Sequence, residues 1–151
     1  MSLFVLLKIV HILSAITALG ANLTYPYWLR RAGHDRDRVL DAIDGISSLD
    51  RRVANRAYIL AFLSGAGMIL TGFYSFTTFW VAAAIVLFVT VAVLGVTVYA
   101  PAFRRQRAAA ERDIHSPAYA AIERRQTAIG LFVTLLVVAI VVLMVSKPTL
   151  G

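Results

Sequence analysis

Four long apolar segments, separated by polar ones, dominate the pattern of hydrophobic and polar positions along this chain. They cover residues 3–25, 57–75, 79–99 and 128–145. A helix needs about 20 apolar residues to cross the roughly 30 Å hydrocarbon core of a bilayer, and each segment is close to that length. The pattern therefore predicts an all-α, polytopic membrane protein in which residues 1–151 form one domain, a bundle of four transmembrane helices.

Local signals predict where these helices begin and end. The link at 76–79, between the second and third spans, carries no charge, so we expect those spans to form a tight antiparallel hairpin. Pro26 and Pro101 follow the first and third spans, where proline can stop a helix. Alternatively, the third helix extends past Tyr99 into Arg104–Glu111. Ser116 followed by Pro117 is typical of a helix N-terminus, so the fourth helix should begin there and run into the membrane.

The polar segment between the first two spans has a helical period of its own. Its apolar residues recur at steps of three and four, with charged residues between them. That period is typical of an amphipathic helix, which we expect either to lie on the membrane surface or to cap the bundle on the cytoplasmic side. The apolar positions are Val39, Leu40, Ile43, Ile46, Leu49 and Val53.

Positive charge is concentrated in two loops. Of the 15 Lys and Arg residues, seven lie between residues 30 and 56 and six between residues 104 and 125, and the net charge is +7. Loops rich in Lys and Arg are retained on the cytoplasmic side of a membrane. We therefore expect both basic loops to be cytoplasmic, where they attract anionic lipids, and both termini to lie outside. This distribution explains the charge without a nucleic-acid partner.

Composition excludes several classes of protein. Apolar residues make up 60% of the chain and charged residues 15%, against about 45–50% and about 25% in soluble domains. The chain has no cysteine, which excludes disulfides, iron–sulfur clusters and cysteine zinc sites. No Asp or Glu lies in a span, which argues against a proton relay or a cation pump. Enzymatic activity is therefore the less favoured interpretation, and no catalytic residue is assigned.

Ionisable side chains within a membrane span mark functional sites. Lys8 and His11 both lie in the first span, and their spacing of three places them on one helix face. Ser14 and Asn22 continue roughly the same face with small or polar side chains. These four residues predict an intramembrane pocket that binds a small ligand, a lipid or a cofactor.

Other interpretations of these residues stay open. A rise of about 1.5 Å per residue brings His11 and Met68 to a similar depth, so the pair is a candidate for the axial ligands of a haem in a redox protein. Conversely, Lys8 can extend to the outer interface, His11 can hydrogen-bond a neighbouring helix, and Met68 can fill the core. No span holds a second histidine, so no metal site is predicted. A third interpretation is a non-catalytic bundle that docks on a membrane protein partner or forms a homo-oligomer.

Two short stretches resemble a known family. Leu6–Ala15 reads LLKIVHILSA and Leu143–Pro148 reads LMVSKP, and both resemble a bacterial family of predicted integral membrane proteins that carries a domain of unknown function. The resemblance implies four spans in a bacterial plasma (inner) membrane and no established activity. More distantly, His11 and the small residues after it are similar to HemJ-type protoporphyrinogen oxidases and CopD-type copper proteins, which are helical membrane proteins with a histidine in an early span.

Overall fold

The computed structural model describes residues 2–148, and over these residues it contains helices and no strand. Its six α-helices, α1 to α6 in chain order, are Leu3–Ala32, Arg36–Leu49, Asn55–Leu70, Phe79–Leu94, Ala100–Arg112 and Pro117–Ser146. Two π-helical turns, Asp50–Ala54 and Gly95–Tyr99, join α2 to α3 and α4 to α5, so that each pair forms a continuous rod. Four rods result, all long and apolar enough to cross a membrane. The prediction of an all-α protein with four candidate spans is confirmed.

The four rods pack as two pairs. Helix α1 lies against α3, and α4 lies against α6, while contacts between α1 and α6 join the pairs. Although α3 and α4 are consecutive, their backbones do not approach closely anywhere in residues 2–148, so the expected tight hairpin is not formed. Aromatic side chains occupy the interval: the rings of Phe62 and Phe88 stack with 5.8 Å between centroids, and Tyr58 meets Phe88 edge-on at 6.4 Å. Rings of this size hold the two helices apart and leave space between the pairs.

Neither proline ends its helix: for Pro26 this is contrary to the prediction, and for Pro101 it agrees with the alternative that the third helix extends past Tyr99. Pro26 lies inside α1, which continues to Ala32 and ends where Gly33 adopts a φ of 65°, a left-handed conformation that favours glycine. Pro101 lies just after the second π-helical turn, near the start of α5. Proline lacks an amide hydrogen and crowds the carbonyl one turn before it, and a wider π-helical turn gives that carbonyl room. The π-helical turn thus explains why the chain passes Pro101 as helix, whereas Pro26 lies within an uninterrupted α-helix.

Helix α2 caps one end of the bundle, the end that carries the basic loops, which we call the capped end. Its apolar face is buried against α1 and α5, with Val39, Ile43 and Ile46 at most 3% exposed. On its outer face, the Arg107 guanidinium donates to both carboxylate oxygens of Asp44, at 2.7 and 3.0 Å, and this hydrogen bonding lowers the pKa of the Asp44 carboxyl. Of the two arrangements expected for the amphipathic helix, capping is the one observed.

The helix that contains the fourth span begins where the sequence predicts. Ser116 Oγ accepts a hydrogen bond from the Tyr119 amide at 3.1 Å, and Pro117 is the first residue of α6. Helix α6 then runs without interruption to Ser146. It thus connects the capped end to the opposite end of the bundle, where α1 begins, which we call the uncapped end.

Candidate functional site

At the uncapped end, His11 lies on the face of α1 that meets α3. Its Nδ1 atom is 2.8 Å from the carbonyl oxygen of Ala61 and 3.2 Å from the hydroxyl of Ser64. Gly65 permits this approach, because a Cβ atom at that position would lie only 3.2 Å from Cε1 of the imidazole. Small residues on α3 thus allow an imidazole to reach the backbone of the neighbouring helix within the apolar region.

The second ring nitrogen of His11 faces α6 rather than α3. Its Nε2 atom is 3.4 Å from the sulfur of Met144. Met68, which sequence depth pairs with His11, is buried in α3 one helical turn beyond Ser64. Within residues 2–148, the polar contacts of the His11 ring are with Ala61, Ser64 and Met144. The thioether in contact with the imidazole is therefore that of Met144.

The structure separates Asn22 from the other three residues predicted to line one pocket. Lys8 is exposed, and its ammonium group lies 5.8 Å from the centroid of the Phe4 ring, one helical turn nearer the uncapped end. Ser14 is buried among the helices and is 7% exposed. Asn22 is 14 residues beyond Lys8, which corresponds to about 21 Å along α1. Asn22 instead belongs to a second site, near the capped end.

This second site is a cavity between the two helix pairs, with a volume of about 1010 Å³. It is bounded by α1, α3, α4, α5 and α6 and by both π-helical turns. The part farther from the cap is apolar and is lined by Phe62, Phe88, Val89, Val93, Val96 and Leu131. The part nearest the cap is polar and is lined by Asn22, Tyr25, Asp50, Tyr58, Tyr99 and Gln126. The cavity thus changes from polar to apolar along its length, as an amphipathic molecule does.

Two hydrogen bonds order the polar part of the cavity. The Asn22 side-chain amide donates to the hydroxyl of Tyr58 at 2.6 Å. The Tyr25 hydroxyl donates to a carboxylate oxygen of Asp50 at 3.3 Å. Each bond joins α1 to the rod formed by α2 and α3, so these polar groups are fixed in position on the cavity wall.

Gln126 differs from these residues because its amide is unpaired. The side chain lines the cavity and is 4% exposed, and within residues 2–148 neither its nitrogen nor its oxygen has a hydrogen-bond partner. The Tyr99 hydroxyl interacts with this amide, although the pair falls outside regular hydrogen-bond geometry. Burying an amide without partners costs free energy, so such groups are uncommon in folded proteins. Both polar atoms of the amide are covered, so a polar group of a bound molecule could supply the missing partners only after the side chain turns toward the cavity.

The electrostatics of the polar part combine one carboxyl group with two guanidinium groups. Burial raises the pKa of Asp50 above its ordinary value, and the hydrogen bond from Tyr25 and the charge of Arg51 oppose that rise. Arg30 and Arg104 also line the cavity. Positive charge therefore outweighs negative charge at this end of the cavity.

Met144 and Gln126 were not predicted from the sequence. Gln126 follows two arginines just before the fourth apolar segment, so its position does not mark it as part of a site. Met144 lies two residues before the end of α6, whereas His11 lies eight residues into α1. Counting depth from each helix end therefore does not bring these two residues together. The available signal for Gln126 was its polar amide, which lies on an otherwise apolar face of the helix that contains the fourth span.

The chain matches the family model described as "Predicted integral membrane protein (DUF2269)" over residues 5–148. Because the match covers nearly the whole chain, the chain belongs to this family, as its resemblance indicated. The description agrees with the four apolar rods of the structure and names no activity. The searches of curated proteins and of solved structures give no match.

Proposed function

We propose that this member of the DUF2269 family binds an amphipathic, lipid-like ligand in the cavity between its two helix pairs. The observation that carries the proposal is the amide of Gln126, which is buried, unpaired and on the cavity wall. The head group of the ligand would bond to this amide near the cap once the side chain turns toward the cavity, because both polar atoms of the amide are covered in the structure. Its apolar chain would lie beside Phe62 and Phe88, in the apolar part of the cavity.

The size of the cavity favours a ligand with a long chain. Pockets for small molecules typically measure about 300–1,000 Å³, and this cavity reaches the upper end of that range with about 1010 Å³. Apolar side chains line most of it, so a compact polar metabolite would leave that surface unfilled. An acyl or isoprenoid chain matches both the length and the apolar lining.

The charge at the polar part favours an anionic head group. Arg30 and Arg104 line the cavity there, and the single carboxyl group, Asp50, already accepts a hydrogen bond from Tyr25. Phosphatidylglycerol, an anionic phospholipid, is therefore the first probe, and zwitterionic phosphatidylethanolamine is its control. Anionic lipids would thus be attracted to the cavity as well as to the basic loops.

The proposal includes an orientation in the bacterial plasma (inner) membrane. The two basic loops would be cytoplasmic and the termini outside, because Lys- and Arg-rich loops are retained inside. The chain has no native cysteine, so single cysteines report topology directly. Asp113→Cys should react with a membrane-impermeant maleimide in inside-out vesicles, and Ser75→Cys should react in intact cells. The reverse pattern would overturn the orientation.

The lipid-binding proposal is tested by native mass spectrometry of the purified protein in mild detergent. The wild-type protein should retain one phosphatidylglycerol per chain, and Gln126→Leu should retain less. Thr90→Val is a matched control, because Thr90 is exposed and bonds only its own helix, through the Val86 carbonyl at 2.8 Å. Equal retention of phosphatidylglycerol and phosphatidylethanolamine would overturn the anionic preference. Undiminished retention by Gln126→Leu would overturn the assigned site.

A further inference from the structure

The hydrogen bonding of His11 fixes which ring nitrogen carries the proton. A carbonyl oxygen can only accept, so the Nδ1 atom at 2.8 Å from the Ala61 oxygen must be the donor. The Ser64 hydroxyl does not change this assignment, because it donates to the Leu60 carbonyl at 2.6 Å. The neutral imidazole is therefore protonated on Nδ1, and its Nε2 atom presents a lone pair.

That lone pair faces a group that cannot donate a hydrogen bond. Nε2 is 3.4 Å from the Met144 sulfur, and a thioether has lone pairs but no hydrogen to offer. Within residues 2–148, Nε2 has no other polar contact. The nitrogen on α1 and the sulfur on α6 thus face each other in an apolar region. Both have lone pairs, and neither receives a hydrogen bond from the other.

We infer that His11 Nε2 and Met144 Sδ form a binding site for a soft monovalent metal ion of the Cu(I) and Ag(I) class. Imidazole and thioether ligands together favour Cu(I) over harder cations. With metal–nitrogen and metal–sulfur bonds of about 2.0 and 2.3 Å, a separation of 3.4 Å corresponds to a ligand–metal–ligand angle of about 105°. That angle belongs to a three- or four-coordinate ion, which leaves a position for an exogenous ligand. Among residues 2–148 no group of three or more His, Asp or Glu is placed to hold a metal ion, so the donors here are the imidazole and the thioether.

The same separation does not fit the two axial ligands of a haem. Axial ligands bind on opposite faces of the porphyrin, so the nitrogen and sulfur would need to be about 4.3 Å apart on a line through the iron. The observed 3.4 Å is shorter, and helices α1 and α6 would have to separate to admit the ring. The geometry thus distinguishes a small ion from a macrocycle.

Residues around the imidazole support the metal site. Metal-binding histidines usually donate their other ring nitrogen to a carbonyl or carboxylate, which fixes the tautomer and orients the ring. The bond from Nδ1 to Ala61 is of this kind, and Gly65 leaves the space that it needs. Helices α1 and α3 thus hold the ring in place, while α6 supplies the thioether.

The test is titration of the purified protein with Ag(I), and with Cu(I) under anaerobic conditions against a chromophoric Cu(I) chelator. We expect one ion per chain. Met144→Leu should weaken binding by roughly 10–100-fold or more, because even the loss of a residue that only orients a ligand has an effect of that size. Leucine conserves the volume of methionine, so this variant should fold. Met68→Leu is the matched control and should bind as the wild type does.

X-ray absorption of the Cu(I) complex gives an independent readout. The wild-type spectrum should contain one sulfur neighbour at about 2.3 Å, and Met144→Leu should lose it. No binding by the wild-type protein would overturn the inference. So would equal weakening by Met68→Leu and Met144→Leu, or a sulfur signal that survives Met144→Leu. None of these outcomes bears on lipid retention in the cavity, so the two proposals stand or fall separately.

Discussion

Replacing Gln126 by leucine should stabilise the protein in detergent when no ligand is bound. The side chain is 4% exposed, and both polar atoms of its amide lack a partner within residues 2–148. An unpaired buried amide destabilises a folded protein by about 1–3 kcal/mol. Leucine has a similar volume, so it removes that penalty without leaving a new void. For a chain of this size, the gain corresponds to a rise in Tm of roughly 2 to 12 °C.

The same substitution should have the opposite effect on the response to lipid. A ligand at 100 times its Kd stabilises the folded state by about 2.7 kcal/mol. Loss of a hydrogen bond to the head group, at about 1.4 kcal/mol, weakens binding roughly tenfold. At the same lipid concentration the stabilisation of Gln126→Leu should then fall to about 1.4 kcal/mol. Thermal melting in detergent, with and without phosphatidylglycerol, measures both effects.

Gln106 provides a matched control for this experiment. It is also a buried glutamine, 0% exposed, whose amide has, in the described part of the chain, only a neighbouring tyrosine, Tyr119, outside regular hydrogen-bond geometry; it lies in α5 and not on the cavity wall. Gln106→Leu should therefore raise Tm in detergent and leave the lipid response unchanged. A lower Tm for Gln126→Leu without lipid would refute the reasoning from the unpaired amide. An undiminished lipid response would refute the position of the head group.

Three further predictions concern the cap. Ile43→Ala should destabilise the protein by about 2–5 kcal/mol, because Ile43 is 0% exposed; thermal melting checks this, with the exposed Ile16→Ala as a control that should change little. A double-mutant cycle of Arg107→Ala and Asp44→Ala should give a coupling energy of only about 0.2–1 kcal/mol, because their side chains are 41% and 53% exposed. Burial raises the pKa of Asp50 in the folded protein. The stability that the protonated carboxyl contributes is therefore fully present at a pH below the ordinary pKa of about 4, and it is lost as the pH rises through the raised pKa. Melting across that pH range should show a decline in the wild type that Asp50→Asn flattens.

The sequence predicts the spans well because the physics that selects them is local. An apolar segment of sufficient length must satisfy its backbone hydrogen bonds internally in lipid, so it forms a helix whatever its neighbours do. The N-terminus at Ser116 and Pro117 is equally local. Proline is less decisive, because helices continue through Pro26 and Pro101. The expectation that proline stops a helix does not take into account the π-helical turn before Pro101. Nor does it take into account Gly33, which ends the helix that contains Pro26.

The candidate sites could not be read in the same way, because they depend on the offset and pairing of helices. Depth along α1 gives the position of His11 within its own helix but not its neighbour on α6, since the two helices do not end at one level. The hairpin expected from the short link fails for a related reason: the stacked rings of Phe62 and Phe88 separate α3 from α4. The cavity lies in the space that this separation leaves. The short link does not predict that space, and the proposed function depends on it.

The two sites should act independently, and this can be tested with one double variant. Gln126 and Met144 lie on the same continuous helix, 18 residues apart, which places them about 27 Å from each other. Effects of substitutions more than about 7–10 Å apart usually add within roughly 0.3–0.5 kcal/mol. The shift in Tm of Gln126→Leu/Met144→Leu should therefore equal the sum of the shifts of the two single variants. Lipid binding should change only with Gln126→Leu, and Ag(I) binding only with Met144→Leu. A change in Ag(I) affinity caused by Gln126→Leu would mean that α6 transmits a shift along its length, and the cavity and the His11–Met144 pair would then be one coupled system.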